Sequence, residues 1–432
     1  MYAVIGAGPM GLASARNLDR YGIDFVGFEL HDDVGGLWDI DNPHSTVYES
    51  AHLISSKRMT EFAEFPMPQA MATYPTHRQL KQYFRDYARH FDLYRRYEFA
   101  TRVVSIERHA DGWKILTEHA GNRQFRIFDG VLIANGTLHQ PNWPTLPGRF
   151  DGELLHASAY RDPGRFTGKR VLIVGCGNSA CDIAVDAVHH AKSVDLSVRR
   201  GYHFLPKFIG GRPTDTLGGK FRLPRALKQR LDARLIQMVV GKPSDYGLPD
   251  PDYRMYESHP VINSLVLHHL GHGDITPRRD VADMTGHTVT FNDGEQADYD
   301  LVLMATGYKL HYPFIDAQHL NWHTGDAPSL YLNVFHPEHD NLFLMGMIEA
   351  TGLGWEGRNL QAQLVALYIR QLAADQPGAR ELQQRKRKHA SDRIDGGYAY
   401  LPLARMAYYV HKDSYLKQVR RHIAALEKQA AG

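Results

Sequence analysis

Short apolar runs, each followed within two residues by a glycine, recur four times along the chain. They are Tyr2–Ile5, Val131–Ala134, Val171–Val174 and Leu301–Ala305. Runs of this length without polar alternation are typical of strands buried on both faces of a parallel sheet. The run within residues 129–136 is echoed by the run within 300–308. This echo predicts one sheet that the chain enters twice, with a second domain inserted into the first.

Helical periodicity and turn residues define the intervening segments. Arg78–Phe91 has leucine and aromatic residues at helical spacing, which predicts a helix whose stripe faces the core. Glu98–Glu118 predicts paired strands that turn at Asp111-Gly112. Residues 201–260 are rich in Gly and Pro and predict loops and short helices over a cofactor cleft. The chain is predicted to be mainly helical from Asn359 onward. We interpret its basic run, Arg385–Lys388, as a solvated helix face in preference to a localisation signal.

The first apolar run opens a glycine-rich turn, residues 6–11, which precedes a predicted helix over Leu12–Leu18. In such a turn the first glycine permits a tight bend, and the second lets the backbone approach a pyrophosphate. The third lets the helix pack closely on the strand. The pyrophosphate then lies at the positive end of the helix dipole. The next predicted strand, Asp24–Phe28, ends in Glu29, whose carboxylate accepts a hydrogen bond from a ribose 2′-hydroxyl and repels a 2′-phosphate. A chance glycine turn explains this combination of strand, turn, helix and acid poorly.

The second glycine-rich turn, residues 175–180, repeats the first with the opposite charge. It follows a predicted strand, precedes a helix beginning near Cys181, and has an alanine at its third glycine position. The next predicted strand, Val194–Val198, leads into Arg199 and Arg200. Two guanidinium groups at this place can pair with a 2′-phosphate through charge-assisted hydrogen bonds. A solvated strand end is the alternative, but the spacing matches that of Glu29 in the first motif. We therefore expect the second site to prefer NADPH over NADH.

Composition narrows the class of protein. A chain of 432 residues predicts two domains, and a formal charge of +2 is too small to indicate a nucleic-acid partner. No apolar run approaches the roughly 20 residues of a membrane span. A motif that starts at Gly6 leaves no room for a signal peptide.

The chain has two cysteines, Cys176 and Cys181, which suits a reducing cytosol. We interpret them as small residues of the turn, not as a redox pair, because positions five apart on a helix face different ways. The 25 histidines are scattered, and no metal site is expected.

Five further patterns resemble the flavin-containing monooxygenases, the class B flavoprotein monooxygenases. In chain order they are Gly35-Gly36-Leu37-Trp38, Phe150-x-Gly152-x-x-x-His156-x-x-x-Tyr160, Ser197-x-Arg199-Arg200-Gly201, Ala305-Thr306-Gly307-Tyr308 and Gln361-Ala362. The resemblance covers nearly the whole chain. Tyr160, followed by Arg161, departs from the tryptophan-containing version of the second pattern that is typical of Baeyer–Villiger enzymes. No hydrophobic tail like that of the microsomal members is present, so a soluble bacterial type of enzyme is implied.

This resemblance implies two cofactors, FAD and NADPH, and an α/β fold with two Rossmann-like domains, the NADPH domain inserted into the FAD domain. We expect residues 1–155 to form the first part of the FAD domain and residues 156–300 the NADPH domain. Residues 301–432 would complete the FAD domain with C-terminal helices. His156 and Tyr160 are assigned a role in linking the domains. The implied FAD site comprises Gly6, Ala7, Gly8, Pro9, Met10, Gly11, Glu29, Gly36, Leu37, Trp38, Ser55, Val103 and Gln361. The implied NADPH site comprises Gly175, Gly177, Asn178, Ser179, Ala180, Asp182, Ser197, Arg199 and Arg200.

The family's reaction passes a hydride from NADPH to FAD, and the reduced flavin adds dioxygen to give a flavin hydroperoxide. A soft nucleophile, an amine nitrogen or a thioether sulfur, then attacks the distal oxygen. The cofactor carries this chemistry, and the protein supplies orientation, dryness and electrostatics. The implied partners are therefore dioxygen and a small molecule with nucleophilic N or S. A cytoplasmic homodimer is the expected form.

One departure from the family affects the expected reaction. The segment Tyr48–Lys57 matches a stretch that normally places an asparagine over the flavin, and that position here is Ile54. Isoleucine excludes water but offers no hydrogen bond, whereas the neighbouring Ser55 has a hydroxyl that can supply one. Ile54 and Ser55 are therefore the candidate catalytic residues. Three activities stay open: N- or S-oxygenation, Baeyer–Villiger oxidation of a ketone, and an NADPH oxidase that releases hydrogen peroxide.

Overall fold

The computed structural model describes residues 1–217 and 223–430, and the chain divides into two compact units. The first unit comprises Met1–Ser45, Lys57–Gln140 and Lys309–Gly432. The second unit comprises Thr46–Ser56 and Pro141–Tyr308. The second unit is therefore inserted into the sequence of the first, as the motifs predicted.

The described strands and α-helices are numbered along the whole chain. The strands are β1 (Tyr2–Ile5), β2 (Phe25–Phe28), β3 (Tyr97–Glu98), β4 (Thr101–His109), β5 (Gly112–His119), β6 (Asn122–Phe128), β7 (Gly130–Ile133), β8 (Gln140–Pro141), β9 (Gly148–Phe150), β10 (Glu153–His156), β11 (Arg170–Val174), β12 (Ser193–Ser197), β13 (Phe208–Ile209), β14 (Arg212–Pro213), β15 (Ile275–Arg278), β16 (Val281–Gly286), β17 (Thr288–Phe291), β18 (Gln296–Asp298), β19 (Leu301–Met304), β20 (Tyr308–Lys309) and β21 (Leu342–Leu344). The helices are α1 (Pro9–Arg20), α2 (Lys57–Thr60), α3 (His77–His90), α4 (Asn178–Val188), α5 (Arg225–Val240), α6 (Leu265–His272), α7 (Gly354–Ala373), α8 (Pro377–Lys388) and α9 (Lys412–Ala430).

A five-stranded parallel sheet forms the centre of the first unit, in the order β21-β7-β1-β2-β3. β1 lies between β2 and β7, with Tyr2 opposite both Phe25 and Gly130. Ala3 and Val4 on this strand have no exposed surface, as expected for a strand covered on both faces. A separate antiparallel sheet, β4-β5-β6, precedes β7.

The second unit repeats this plan. Its parallel sheet has the order β10-β19-β11-β12-β15, with β11 between β12 and β19. Val171, Leu172 and Ile173 on β11 are fully buried. Here too an antiparallel meander, β16-β17-β18, precedes β19, the strand that pairs with β11. β9 lies next to β16 and extends the sheet of the meander. Each unit thus has the strand, turn, helix and strand arrangement of a dinucleotide-binding fold.

The echo between residues 129–136 and 300–308 was misread in the sequence. It predicted one sheet entered twice, but β7 belongs to the first sheet and β19 to the second. The two strands look alike because they occupy equivalent places in two repeated units. The true return to the first sheet is β21, whose Leu342 lies opposite Val131 on β7.

The expected domain boundaries at 155/156 and 300/301 also differ from those of the compact units. β10 and β19 pair in parallel, with Glu153 opposite Leu301, so both expected boundaries fall inside one sheet. An apolar strand pattern does not say which sheet a strand will join. The short segment Thr46–Ser56 was expected with the first domain, but it belongs to the second unit.

Residues 201–260 contain one long helix that the sequence did not predict, α5, with 16 residues. Its exposed positions include Leu227, Leu235 and Met238, while its one fully buried residue is Gln229. Apolar side chains point outward and a polar one points inward, so the usual helical pattern is absent. The part of the predicted loop region at positions 218–222 lies outside the described residues.

The basic run Arg385–Lys388 at the end of α8 is not a uniformly solvated face. Lys386 has no exposed surface, and its ammonium group donates to the backbone oxygens of His336, Pro337 and His339. It also pairs with Asp340 at 2.9 Å. Burial lowers the pKa of Lys386, and the contact with Asp340 opposes that shift. This lysine ties α8 to the turn that precedes β21.

We expect Lys386→Met to destabilise the protein by about 3 kcal/mol, the lower end of the cost of breaking a buried ion pair. The lower end applies because Asp340 keeps 26% of its side chain exposed. Urea unfolding followed by tryptophan fluorescence measures this, since the ring of Trp113 lies 5.3 Å from that of His339. The exposed Lys388→Met on the same helix turn is the matched control. Equal urea midpoints for the two variants would contradict the structural role of Lys386.

Candidate functional site

The first glycine turn of the chain is shaped by close backbone contacts. Gly6 has φ +103°, and a Cβ there would lie 2.7 Å from the oxygen of Ala134. A Cβ on Gly11 would lie 1.8 Å from the oxygen of Gly6, so only glycine lets α1 approach β1 this closely. The hydroxyl of the buried Tyr97 donates to that same Gly6 oxygen at 3.3 Å. α1 begins at Pro9, so its positive end faces this turn.

Glu29 lies beside this turn at the end of β2, with 7% of its surface exposed. One carboxylate oxygen accepts from the amide of Ala7, and the other accepts from the amide of His31 at 2.9 Å. Burial raises the pKa of Glu29, and these backbone hydrogen bonds oppose the rise. Each oxygen has two lone pairs, so the carboxylate keeps capacity for a ribose hydroxyl.

The Gly35–Trp38 pattern folds against the same turn. The amide of Gly35 donates to the oxygen of Ala7 at 3.0 Å, and a Cβ on Gly36 would lie 3.0 Å from the Cα of Gly8. Gly36–Trp38 form a short 3-10 helix in which Leu37 and Trp38 are half-buried. Two backbone segments without side chains therefore meet at Gly8, which leaves the open backbone surface that a pyrophosphate requires. The first unit's residues fit FAD on this ground.

Three residues of the implied FAD site are buried or half-buried within the protein. Gln361 has no exposed surface, and its amide binds the nitrogen of Gly346 at 2.8 Å and the hydroxyl of Tyr415 at 2.7 Å. The polar atoms of this side chain are bonded inside the protein, and the place of Gln361 near the flavin stays a prediction. Met10 is buried and Val103 half-buried, which leaves their contacts with FAD as predictions.

The second glycine turn has the same geometry. Gly175 has φ +119°, and a Cβ there would lie 2.5 Å from the oxygen of Ala305. A Cβ on Gly177 would meet nothing within 4 Å, so its outer face is open, and α4 begins at Asn178 immediately after it. Ala180 is fully buried on the inner side of the helix. This open turn at a helix N-terminus fits the pyrophosphate of a second dinucleotide.

Other predicted NADPH residues bind neighbouring segments of the second unit. The side-chain oxygen of Asn178 accepts from the amide of Ile262 at 2.7 Å. Ser197 is 1% exposed and donates to the oxygen of Arg279 at 2.8 Å. The hydroxyl of Ser197 is thus buried and bonded within the protein, and its place in the NADPH site stays a prediction.

Asp182 lies on α4, which begins at the second glycine turn, and its side chain has two partners in the second unit. One of its oxygens accepts from the amide nitrogen of Asn263 at 2.6 Å, and the other accepts from the hydroxyl of Tyr48 at 3.2 Å. The side chain of Ser179 also acts to lower the pKa of Tyr48, against the effect of burial. These contacts give Asp182 a place in the protein's own hydrogen-bond network, and its part in binding NADPH stays a prediction.

The arginine pair follows β12, at the edge of the sheet next to the second glycine turn. Arg199 is exposed, and the guanidinium of Arg200 lies 5.3 Å from the ring centre of Tyr202. The Nε atom of Arg200 is buried and has no hydrogen-bond partner within residues 1–217 and 223–430. A buried cationic donor of this kind fits an anionic ligand group such as a 2′-phosphate.

The two cysteines are closer than their spacing predicted. Their sulfur atoms lie 4.0 Å apart, because Cys176 sits in the turn ahead of α4 and Cys181 sits on the helix. The argument from helix faces was therefore wrong. Both side chains are buried, and the neighbouring thiol together with burial raises the pKa of Cys181 well above its usual value. A protonated, buried thiol is a poor nucleophile, which supports the structural interpretation of the pair.

The segment Thr46–Ser56 holds the two candidate catalytic residues. Ile54 and Ser55 are both half-buried. Tyr160, the last residue of the family's identifying pattern, is fully buried and donates to Asp186 at 3.0 Å. His156 accepts from the amide of Ser158 at 3.0 Å through Nδ1. The contacts of Tyr160 and His156 lie inside the second unit. Sequence reasoning missed Asp186 and Tyr48, although two acids one turn apart on α4 were a visible signal.

No described helix is both long enough and apolar enough to cross a lipid bilayer. Among the described residues, no group of three or more His, Cys, Asp or Glu side chains is placed to hold a metal ion.

Comparison with known proteins gives concordant matches. A family described as Flavin-binding monooxygenase-like matches residues 1–420. Dimethylaniline monooxygenase [N-oxide-forming] 2 from Pan troglodytes is 31% identical over 418 residues, covering 91% of this chain and 77% of that protein. The fold is similar to S-allyl-L-cysteine S-oxygenase from Allium sativum, with TM-score 0.67, 19% identity, and 98% and 88% of the two chains covered. It is also similar to cyclohexanone monooxygenase, with TM-score 0.72, 18% identity, and 100% and 97% covered.

We expect Arg199→Ala and Arg200→Ala each to raise the KM for NADPH roughly 10- to 100-fold, the range for a lost charge-assisted hydrogen bond. The KM for NADH should change little, because NADH lacks the 2′-phosphate. Steady-state kinetics with both nucleotides measures the difference. Lys192→Ala is the matched control, since Lys192 is exposed just before the opposite end of β12. Equal effects on the two nucleotides would show that the arginines do not read the phosphate.

Proposed function

This chain belongs to the flavin-binding monooxygenase-like family, and we propose that it transfers one oxygen atom of dioxygen to a nucleophilic nitrogen or sulfur of a small molecule. It is a flavin-dependent monooxygenase that uses FAD and NADPH. The finer assignment to N- or S-oxygenation is supported by residue 160 and by what two relatives are named for. Its two substrates besides NADPH are a small molecule, which is oxidised, and dioxygen, which is the oxidant.

Bound FAD supplies hydride acceptance from NADPH and, once reduced, the activation of dioxygen. The chain's own residues hold and shield the reacting partners. In the first unit, the backbone turn at Gly8 would receive the pyrophosphate of FAD, and Glu29 would accept a hydrogen bond from a ribose hydroxyl. In the second unit, the turn at Gly177 and the arginines Arg199 and Arg200 would hold NADPH. Because the bound cofactors would carry the chemistry, the proposed reaction requires no side chain that acts as an acid or a base.

The observation that carries N- or S-oxygenation is Tyr160 at the end of the identifying pattern. Baeyer–Villiger enzymes typically have a tryptophan there, whereas here a buried tyrosine donates its hydroxyl to Asp186. Two relatives add support, since one is named for forming an N-oxide and a solved structure is named an S-oxygenase.

Two other activities have an observation in their favour. The fold matches cyclohexanone monooxygenase over its whole length, which favours a Baeyer–Villiger oxidation as the second candidate. Ile54 in place of the family's asparagine favours an NADPH oxidase that releases hydrogen peroxide. The three activities consume NADPH alike and differ in their products.

The deciding experiment supplies purified holoenzyme with NADPH, air, and either methyl phenyl sulfide or cyclohexanone. We expect sulfoxide in proportion to NADPH consumed and little peroxide. Lactone from cyclohexanone would favour the second candidate. Near-complete peroxide release with every substrate would reject oxygen transfer.

A cytoplasmic location and a homodimer also belong to the proposal. Two buried, unpaired cysteines suit a reducing compartment. The homodimer has the family resemblance alone behind it and stays a prediction.

We expect Ile54→Asn to lower the peroxide released per NADPH consumed by about threefold or more. The amide would add a hydrogen bond of about 1 kcal/mol at the position where the family has one. Peroxide is measured with a peroxidase-coupled dye while one oxidisable substrate is supplied at a time. Ile54→Val keeps an apolar, β-branched side chain and is the matched control. An unchanged peroxide yield in Ile54→Asn would remove residue 54 from the control of oxygen chemistry.

A further inference from the structure

Residues 46–56 are held to helix α4 by two carboxylates. Tyr48 donates its hydroxyl to Asp182 at 3.2 Å, and Ser50 donates its hydroxyl to Asp186 at 2.5 Å. The two acids lie one helical turn apart, so they face the segment from the same side of α4. Burial and the neighbouring carboxylates raise the pKa of Tyr48 well above its usual value, which keeps its hydroxyl protonated as a donor.

The rest of the segment is held to other parts of the second unit. His52 contacts the ammonium group of Lys207 through Nε2 and the oxygen of Ser50 through Nδ1, 2.8 Å away. The amide of Ser56 donates to Asp215 at 2.6 Å. Contacts therefore lie on both sides of Ile54 in the chain, and all of them are within the second unit.

The same network begins at the second glycine turn. Ser179 lies in the first turn of α4, where the pyrophosphate of NADPH would bind, and its side chain is close enough to Tyr48 to act on the pKa of that hydroxyl. Tyr48 is bonded in turn to Asp182. A ligand at the start of α4 is therefore one side chain away from residues 46–56.

Asp186 joins this network to the identifying pattern. A single oxygen of its carboxylate accepts both the hydroxyl of Ser50 and the hydroxyl of the fully buried Tyr160, the latter at 3.0 Å. The rings of Tyr48 and Tyr160 also pack together, with centroids 5.5 Å apart. Tyr160 thus fixes the position of the carboxylate that holds Ser50.

We propose that Asp182 and Asp186 are positioning residues, which hold residues 46–56, with Ile54 and Ser55, against the NADPH-binding helix so that bound NADP⁺ orders this segment. The effect on oxygen transfer rests on the proposed function above. The ordering of the segment by NADP⁺ does not, since it depends on the contacts of the second unit alone.

Hydrogen–deuterium exchange on the FAD-containing holoenzyme, with and without NADP⁺, tests the proposal. In the wild type we expect NADP⁺ to slow amide exchange of peptides covering residues 46–56 several-fold. In Ser50→Ala, Tyr48→Phe and Asp186→Ala, exchange without nucleotide should be roughly tenfold faster, the effect of losing a hydrogen bond to a charged group. The slowing by NADP⁺ should be much reduced in the same variants.

Two further variants separate positioning from general loosening. Asp186→Asn keeps an oxygen that can accept from both hydroxyls, so it should retain most of the protection that Asp186→Ala loses. Tyr246→Phe removes a hydroxyl that donates to the oxygen of Val240 at 2.8 Å, elsewhere in the second unit, and should leave residues 46–56 unchanged. Ser50→Ala alters the network from outside the helix, so it remains informative even where Asp186→Ala folds poorly. Wild-type exchange in residues 46–56 that is unchanged by NADP⁺, or equal in wild type and Ser50→Ala, would overturn the proposal.

A kinetic readout keeps this proposal distinct from the proposed function. We expect Ser50→Ala to leave the KM for NADPH within about twofold and to raise peroxide release per NADPH several-fold. A rise in KM with an unchanged peroxide fraction would contradict a positioning role. A wild type that releases one hydrogen peroxide for every NADPH consumed would end the proposal of oxygen transfer, while the exchange experiment would still decide the role of Asp182 and Asp186.

Discussion

The structure depends on a backbone contact that permits no side chain, at the first glycine of each dinucleotide turn. A single added carbon at Gly6 would lie 2.7 Å from the oxygen of Ala134, and one at the equivalent Gly175 would lie 2.5 Å from the oxygen of Ala305. Because a helix starts directly after each of these tight turns, its first amides converge on one small volume and can hold a pyrophosphate. The chain meets this constraint twice, and the order of strands around each turn is the same. The two units therefore differ in what their second strands carry at the end, an acid in one and two arginines in the other, more than in their architecture.

Much of this could be predicted from the sequence because the constraint is local. A turn of residues 6–11 after four apolar residues leaves little choice of conformation, and the same holds for residues 175–180. The partner of a strand is not local, and there the sequence misled. β7 and β19 have almost the same pattern, yet they enter different sheets, since their pairing is decided by contacts across more than a hundred residues. The helix α5 was missed for a related reason: its leucines point outward, so no amphipathic period marks it.

In the candidate sites, the sequence predicts backbone shape and charge more directly than it predicts the partners of each side chain. Glycines and arginines act through backbone shape and charge, which their positions in a motif already define. Asp182, Ser197 and Gln361 lie in or near motifs too, but each side chain is bonded to other parts of the protein. A buried polar side chain in a motif can serve either the ligand or the framework that holds the ligand. The hydrogen-bond partners that distinguish these two cases are distant in sequence, so no local pattern reveals them.

This distinction bears on the substitution at residue 54. The contacts described above for residues 46–56 come from Tyr48, Ser50, His52 and the amide of Ser56, and none of these four involves the side chain of Ile54. The path of the backbone is thus set independently of residue 54, whose side chain is placed by its neighbours whatever its chemistry. An asparagine can be exchanged for an isoleucine at such a position with little cost in folding, because no internal partner is lost. The exchange instead changes what the side chain presents to its surroundings, from a hydrogen-bonding amide to an apolar surface. At such a position the backbone is held by contacts of neighbouring residues, and the side chain takes no part in them. The side chain, and with it the oxygen chemistry, can therefore vary between members of one family while the fold stays constant.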